Sequence, residues 1–209
     1  MTSWDNREVT NEHLLPYVDS ETAPADVQTA LRTLPFERNI FKLIANAPVF
    51  FPTFMKLLTC AWSPERALRS TDWQIIVLRT ASLLNAPYEW DVNEPVARVF
   101  GMTDEHLKYL RSGDLSSREL FTNRQRLISS VVEELCLKDR VAEDKVQQCK
   151  EIFGDQGLME LFFTQTIYAF LARTMNSCKI DFDHPIPGLE DMLRKYNAAT
   201  IEKEMQYTD

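Results

Sequence analysis

Only five of the 209 residues are glycine, about a third of average usage. Hairpin turns, strand-to-helix loops and phosphate-cradling loops all draw on the positive φ that glycine tolerates. An all-β sandwich and a glycine-rich nucleotide fold are therefore disfavoured, and an all-α chain is expected. The glycines fall where helices would stop or connect: Gly101 and Gly154 as stops, Gly113 and Gly157 in short connections, Gly188 near the end. With 44% hydrophobic residues, a chain of this length buries roughly 70% of its unfolded surface and needs no disulfide or structural metal. Its 31 acidic and 23 basic residues, net charge -8, match poorly to a polyanionic backbone, so no nucleic-acid partner is expected.

The first thirteen residues, MTSWDNREVTNEH, carry Asp5, Arg7, Glu8 and Glu12 before any apolar run. They lack the pattern of a secretory signal, so a cytoplasmic protein is expected. The charge-free stretches Leu43 to Met55 and Leu161 to Ala172 are too short for a spanning helix, and no membrane partner is expected. Cys60, Cys136, Cys149 and Cys178 are widely spaced, and His13, His106 and His184 are isolated from one another. No metal site and no cofactor follow from such spacing.

Residues 1–24 read as a polar arm, 25–183 as one helical domain and 184–209 as an amphipathic tail. Helical periodicity begins with Val27, Leu31 and Leu34, continues in Ile40, Leu43 and Ile44, and resumes from Pro48 or Phe51 to Ala61. Ser63-Pro64-Glu65 has the form of a cap with proline at the first helical position. Ser70 can cap a helix over 71–84 that is apolar on most faces, which requires neighbours on more than one side. Its segment Ile75 to Leu78 could also be a buried strand, but the run continues through Leu84 without a turn residue.

Pro87 then opens a helix with a Tyr88, Val92, Val96 and Val99 seam, where Pro95 either kinks the axis or starts a second helix. Thr103 and the pair Thr122 and Gln125 are further caps. A helix carrying Ala142, Val146, Cys149 and Phe153 stops at Gly154, and residues 156–178 form a second central helix. The total is about eight or nine helices.

Polar groups inside the two apolar helices need partners. Gln74, Arg79 and Arg173 are of this kind. Each arginine serves either as an ion pair joining helices or as part of a site. Glu89 and Asn93 share a helix face, with Tyr88 and Trp90 beside them. A carboxyl flanked by aromatics can be a general acid or base; the same cluster can equally be a packed cap with Glu89 paired to an arginine. Glu94 and Arg98 form a surface i, i+4 pair, and Asp181-Phe182-Asp183-His184 supplies either a pocket mouth or a simple helix exit.

Phe41 through Ala47-Pro48-Val49, Ser70 to Leu84, Asn85-Ala86-Pro87-Tyr88-Glu89-Trp90, Ala97, Gly101-Met102-Thr103 and Tyr168 to Asn176 together resemble the carboxymuconolactone decarboxylase and AhpD-like family across residues 38–182. The resemblance implies an AhpD-like orthogonal helical bundle and a homo-oligomer, whether dimer, trimer or hexamer. The thiol branch of that family would have a glutamate at Gln74, cysteines at Ala86 and Glu89, and a histidine at Asn93. None of the four is present, so thiol peroxidase chemistry is not expected.

The decarboxylase branch, with its Tyr-Glu-Trp, is the better match, although its histidine is also replaced by Asn93. The resemblance thus implies a cofactor-free lyase or isomerase acting on a small cyclic organic acid, lactone or enolisable metabolite. Glu89 would be its acid or base and Tyr88 and Asn93 its oxygen ligands; Gln74, Arg79, Trp90 and Arg173 would hold the substrate. The contrasting expectation is a non-catalytic oligomeric scaffold or small-molecule binding protein that kept the helical core without the reactive residues.

Overall fold

Apolar residues recurring at helical spacing form helices here. The computed structural model describes residues 7, 9–63 and 65–207, and among these it contains ten α-helices and no strand. Residues 1–6 and 8 of the expected arm, and Pro64 of the expected helix start, lie outside the described residues. The chain gathers into two compact units, residues 1–63 with 174–187 and residues 64–173 with 188–209. The boundaries expected near 24 and 183 both fall inside the first.

In the first unit, helices α1 (Ala25–Leu31), α2 (Asn39–Ile44) and α3 (Phe51–Thr59) bury Val27, Leu31, Ile40, Leu43, Phe51, Met55 and Leu58. Pro52 sits in the first turn of α3, where its missing N–H costs nothing. The segment around Asp181 acts as a clamp. Its carboxylate accepts the backbone N–H groups of Thr10 and Asn11 at 2.9 and 3.0 Å and meets His13 Nδ1 at 2.9 Å. Asp183 accepts the Asn39 N–H at 2.7 Å and pairs with Arg38 at 3.1 Å. Both carboxylates therefore hold the arm and α2 in place.

The second unit is organised by α4 (Ser70–Leu83), whose Ile75, Ile76, Val77, Leu78 and Ala81 have no exposed surface. Around it pack α5 (Pro87–Val99), α6 (Asp104–Ser112) and α7 (Asn123–Leu137). Pro87 begins α5 and Pro95 lies within it, so one helix runs through both. Thr103 caps α6 by accepting the His106 N–H, and Thr122 with Gln125 forms the capping box of α7.

α8 (Glu143–Ser177) carries a break at Gly154, where φ 70° and ψ 177° are not helical; its residues from Thr174 belong to the first unit. Gly157 lies inside a helix rather than in a connection, and a Cβ there would come within 2.6 Å of Phe153 Cβ. The tail forms α9 (Leu189–Tyr196) and α10 (Ala198–Glu204), separated at Asn197, whose Nδ2 donates to the Leu193 carbonyl at 2.8 Å. No helix among the described residues is long and apolar enough to cross a membrane.

Polar groups at the ends of α4 are matched by side chains from elsewhere. Asp72 accepts the Arg69 N–H at 3.0 Å and two bonds from Arg124 of α7 at 2.8 and 2.6 Å. Arg69, with extended backbone, is the N-cap; Ser70 is the first helical residue, and its N–H is taken by Glu204 of the tail. Toward the other end, Arg79 Nη1 donates to the Leu110 carbonyl and the Ser82 hydroxyl to the Arg111 carbonyl, both at 2.8 Å. These two donors satisfy carbonyls left open at the carboxyl end of α6, where the aligned peptide dipoles also favour a cation.

Gly113 closes α6 at φ +86°, and a Cβ there would lie 3.0 Å from Arg79 Nη2; Gly101, at φ +93°, faces open space. Gly101→Ala is therefore expected to cost about 1 kcal/mol for backbone strain alone, and Gly113→Ala about 2 kcal/mol because the guanidinium must also shift. Chemical denaturation of the two variants checks this difference. Equal losses would show that Arg79 gives way freely.

Candidate functional site

Glu89 stands in the first turn of α5, where a carboxylate is favoured by the helix dipole, yet the residue is only 2% exposed. Neither of its carboxylate oxygens has a hydrogen-bond partner among the described residues. Burial alone pushes its carboxyl well above the usual range, because the charged form loses its hydration and gains no cation in return. The alternative in which an arginine saturates Glu89 is not what the geometry contains. Asn93, one turn on, donates its Nδ2 to the Glu89 backbone carbonyl at 2.8 Å. It braces the turn instead of meeting the carboxyl.

Two aromatic residues complete this environment. Tyr168 of α8 is buried, and its hydroxyl accepts from the Trp73 indole N–H at 3.4 Å, with the rings edge to face at 6.0 Å. Burial raises the Tyr168 phenol, and the nearby Glu89 charge adds to that rise. Gln74, beside Trp73 on α4, is 4% exposed and its Oε1 is unpartnered. Tyr88 and Trp90 flank Glu89 in sequence and are both buried.

Trp90 also points to a second feature. Its indole N–H donates to Glu94 at 2.8 Å, Glu94 pairs with Arg98 at 2.8 Å, and Arg98 reaches Asp104 at 2.7 Å. The expected Glu94 and Arg98 pair is thus part of a longer chain of contacts. Trp90, Glu94, Arg98, Leu107, Lys108 and Arg111 line an open groove of about 390 Å³ between α5 and α6.

The two arginines do not join Glu89. Arg79 is 4% exposed and engages the α6 carbonyl end, with no carboxylate paired to it among the described residues. Arg173 is exposed, and its Nη1 donates to the Ala169 carbonyl at 3.3 Å. Both lie near Cys136, whose thiol receives Gln165 Nε2 at 3.4 Å. Burial raises this thiol despite the two cations.

The candidate residues named from the sequence therefore divide. Glu89, Asn93, Tyr88 and Trp90 share the start of α5, whereas Arg79 and Arg173 belong to the surroundings of Cys136. Tyr168 and Trp73 were not anticipated as site residues, although a tyrosine within the apolar run 158–172 was a visible signal of a buried hydroxyl needing a partner. Among the described residues, no group of three or more His, Cys, Asp or Glu side chains is placed to hold a metal ion. Comparison of the chain with protein-family models and with curated proteins finds no match.

The sign of the Glu89 effect on stability follows from linkage. Its folded pKa lies above the unfolded value near 4.5, so the stability it allows is fully present below that value and is lost as pH rises. Each pH unit above 4.5 then removes up to about 1.4 kcal/mol until the folded group ionises. Glu89→Gln is expected to remove this decline, gaining stability over the wild type at pH 7 but not at pH 4. Parallel denaturant titrations at the two pH values measure it, and a pH-independent difference would sink the assignment.

Proposed function

We propose that this protein is a cofactor-free lyase or isomerase acting on a small, enolisable organic acid or lactone, with Glu89 as its proton donor and acceptor. The observation that carries the reading is a fully buried carboxyl with no partner on either oxygen among the described residues. A buried carboxylic acid of that kind is suited to general acid–base work because burial raises its pKa and leaves it a proton to donate. The resemblance to the decarboxylase branch, through Tyr88-Glu89-Trp90, supports the same class of chemistry. The open groove borders Trp90 and is not lined by Glu89 itself; its volume of about 390 Å³ is in the range of small-ligand sites.

In the decarboxylation form of this reading, the bond between the substrate carboxylate and its neighbouring carbon breaks and carbon dioxide leaves. The electron pair passes into the enolate of the adjacent carbonyl. Glu89 then delivers its proton to the carbon, and water returns a proton to Glu89. Tyr88, Trp90 and the uncommitted groups of Asn93 position the substrate. Gln74, with its open Oε1, accepts a hydrogen bond from a substrate hydroxyl. Arg79 and Arg173 have no role in this scheme, since their charges do not contribute at Glu89. The homo-oligomer implied by the resemblance is part of the proposal and is tested by mass measurement in solution.

Screening a panel of small keto acids and carboxylated lactones for carbon dioxide release or loss of enol absorbance gives the direct test. Glu89→Gln should lower turnover at least about 100-fold, the scale of a lost general acid, while leaving the far-ultraviolet circular dichroism unchanged. A variant as active as the wild type would overturn the role of Glu89. If the wild type turns over nothing in a broad panel, the contrasting reading of a non-catalytic binding protein replaces this one.

A further inference from the structure

Helix α10 has seven residues and buries none of them. A helix this short is unstable alone, and with only Thr200, Ile201 and Glu204 partly covered the hydrophobic effect holds it weakly. Its last residue nevertheless makes a dense set of polar contacts with the amino end of α4. The two Glu204 carboxylate oxygens accept the Ser70 backbone N–H at 2.9 and 3.0 Å, and the Ser70 hydroxyl donates to one of them at 3.0 Å. Arg66 Nη2 donates to the same carboxylate at 2.9 Å and also bonds the Ser70 hydroxyl. Beyond the helix, the Tyr207 ring lies under the Arg69 guanidinium at 4.8 Å.

An N–H at the positive end of a fourteen-residue helix, a hydroxyl and a guanidinium are the groups a small carboxylate would bind. Here the chain's own carboxylate fills the place. Two other carboxylates lie near Arg66, and each has separate donors: Glu160 accepts the Ala67 and Leu68 N–H groups, and Asp72 is held by Arg124. Glu204 is the member of the three carried on an element with no fully buried residue. Repulsion from its two neighbours opposes its hold, and salt screens its attraction to Arg66.

We propose that α10 is a detachable strap, fastened to α4 by Glu204 in a cradle formed by Arg66 and Ser70, and that small carboxylate anions compete for that cradle and release the strap. The cradle sits one helical turn before Trp73, so strap release changes the surface next to the Trp73 and Tyr168 pair. The inference rests on the tail contacts alone and stands whether or not Glu89 is catalytic.

Limited trypsin digestion of the full chain reads the open population through cleavage at Lys203. Glu204→Gln should raise that cleavage about tenfold, the scale of one lost charge-assisted hydrogen bond, and Arg66→Met should do the same from the opposite partner. In the wild type, sodium acetate should accelerate cleavage beyond sodium chloride at equal ionic strength, and Glu204→Gln should be indifferent to that exchange. Circular dichroism of Glu204→Gln matching the wild type assigns the change to the strap. Full protection of Lys203 in Glu204→Gln, or identical effects of acetate and chloride on the wild type, would overturn the proposal.

Discussion

Helix α4 is buried on every side from Gln74 to Ala81, and this shapes the whole second unit. Four consecutive residues, Ile75 through Leu78, are completely buried, which requires cover from several directions at once. α5, α6 and α7 supply it. A helix buried this deeply must also settle its polar side chains and its ends, and four of them are met by partners distant in sequence: Arg124 for Asp72, Glu204 for Ser70, and the carboxyl end of α6 for Arg79 and Ser82. The apolar run thus fixes which elements surround α4, and the polar residues along it fix how they are registered.

Buried charge is handled in two contrasting ways. Asp72 is paired with Arg124, and Arg79 rests on the carbonyl end of a helix, where the peptide dipoles stand in for a carboxylate. Glu89 receives nothing comparable. An uncompensated buried carboxyl destabilises the folded state whenever the surrounding pH favours ionisation, so its presence two residues into α5 is costly in purely structural terms. That cost is the physical reason behind the proposal of a chemical role for Glu89, and Tyr168 lies close enough to feel its charge.

Much of the architecture was legible in the residues. The periodic segments became helices, Thr103 and Thr122 became caps, Pro87 became a first helical residue, and the Gly154 stop marks a true break. Other positions misled because their outcome depends on distant partners. Ser70 has the chemistry of an N-cap, but its N–H and hydroxyl face a carboxylate 134 positions later. Gly157 looked like a connection residue; the proximity of Phe153 one turn earlier explains its small size within a helix. For the candidate site, Glu89 and its sequence neighbours were visible as a cluster, since one helix turn brings them together. Tyr168 was not, because only packing brings α8 toward α5.

The sequence by itself determined that this chain is all-helical, where most helices begin and end, and that the helix after Ser70 is central. These properties depend on local periodicity, capping and scarce glycine, which act over a few residues. Only the tertiary structure decided which of the charged candidates are compensated among the described residues. Arg79 went to a carbonyl, Arg173 went to the surface, and Glu89 was left without a partner. Whether a buried charge finds a counter-charge depends on the elements that surround it in space, and that information is absent from the spacing of residues along the chain.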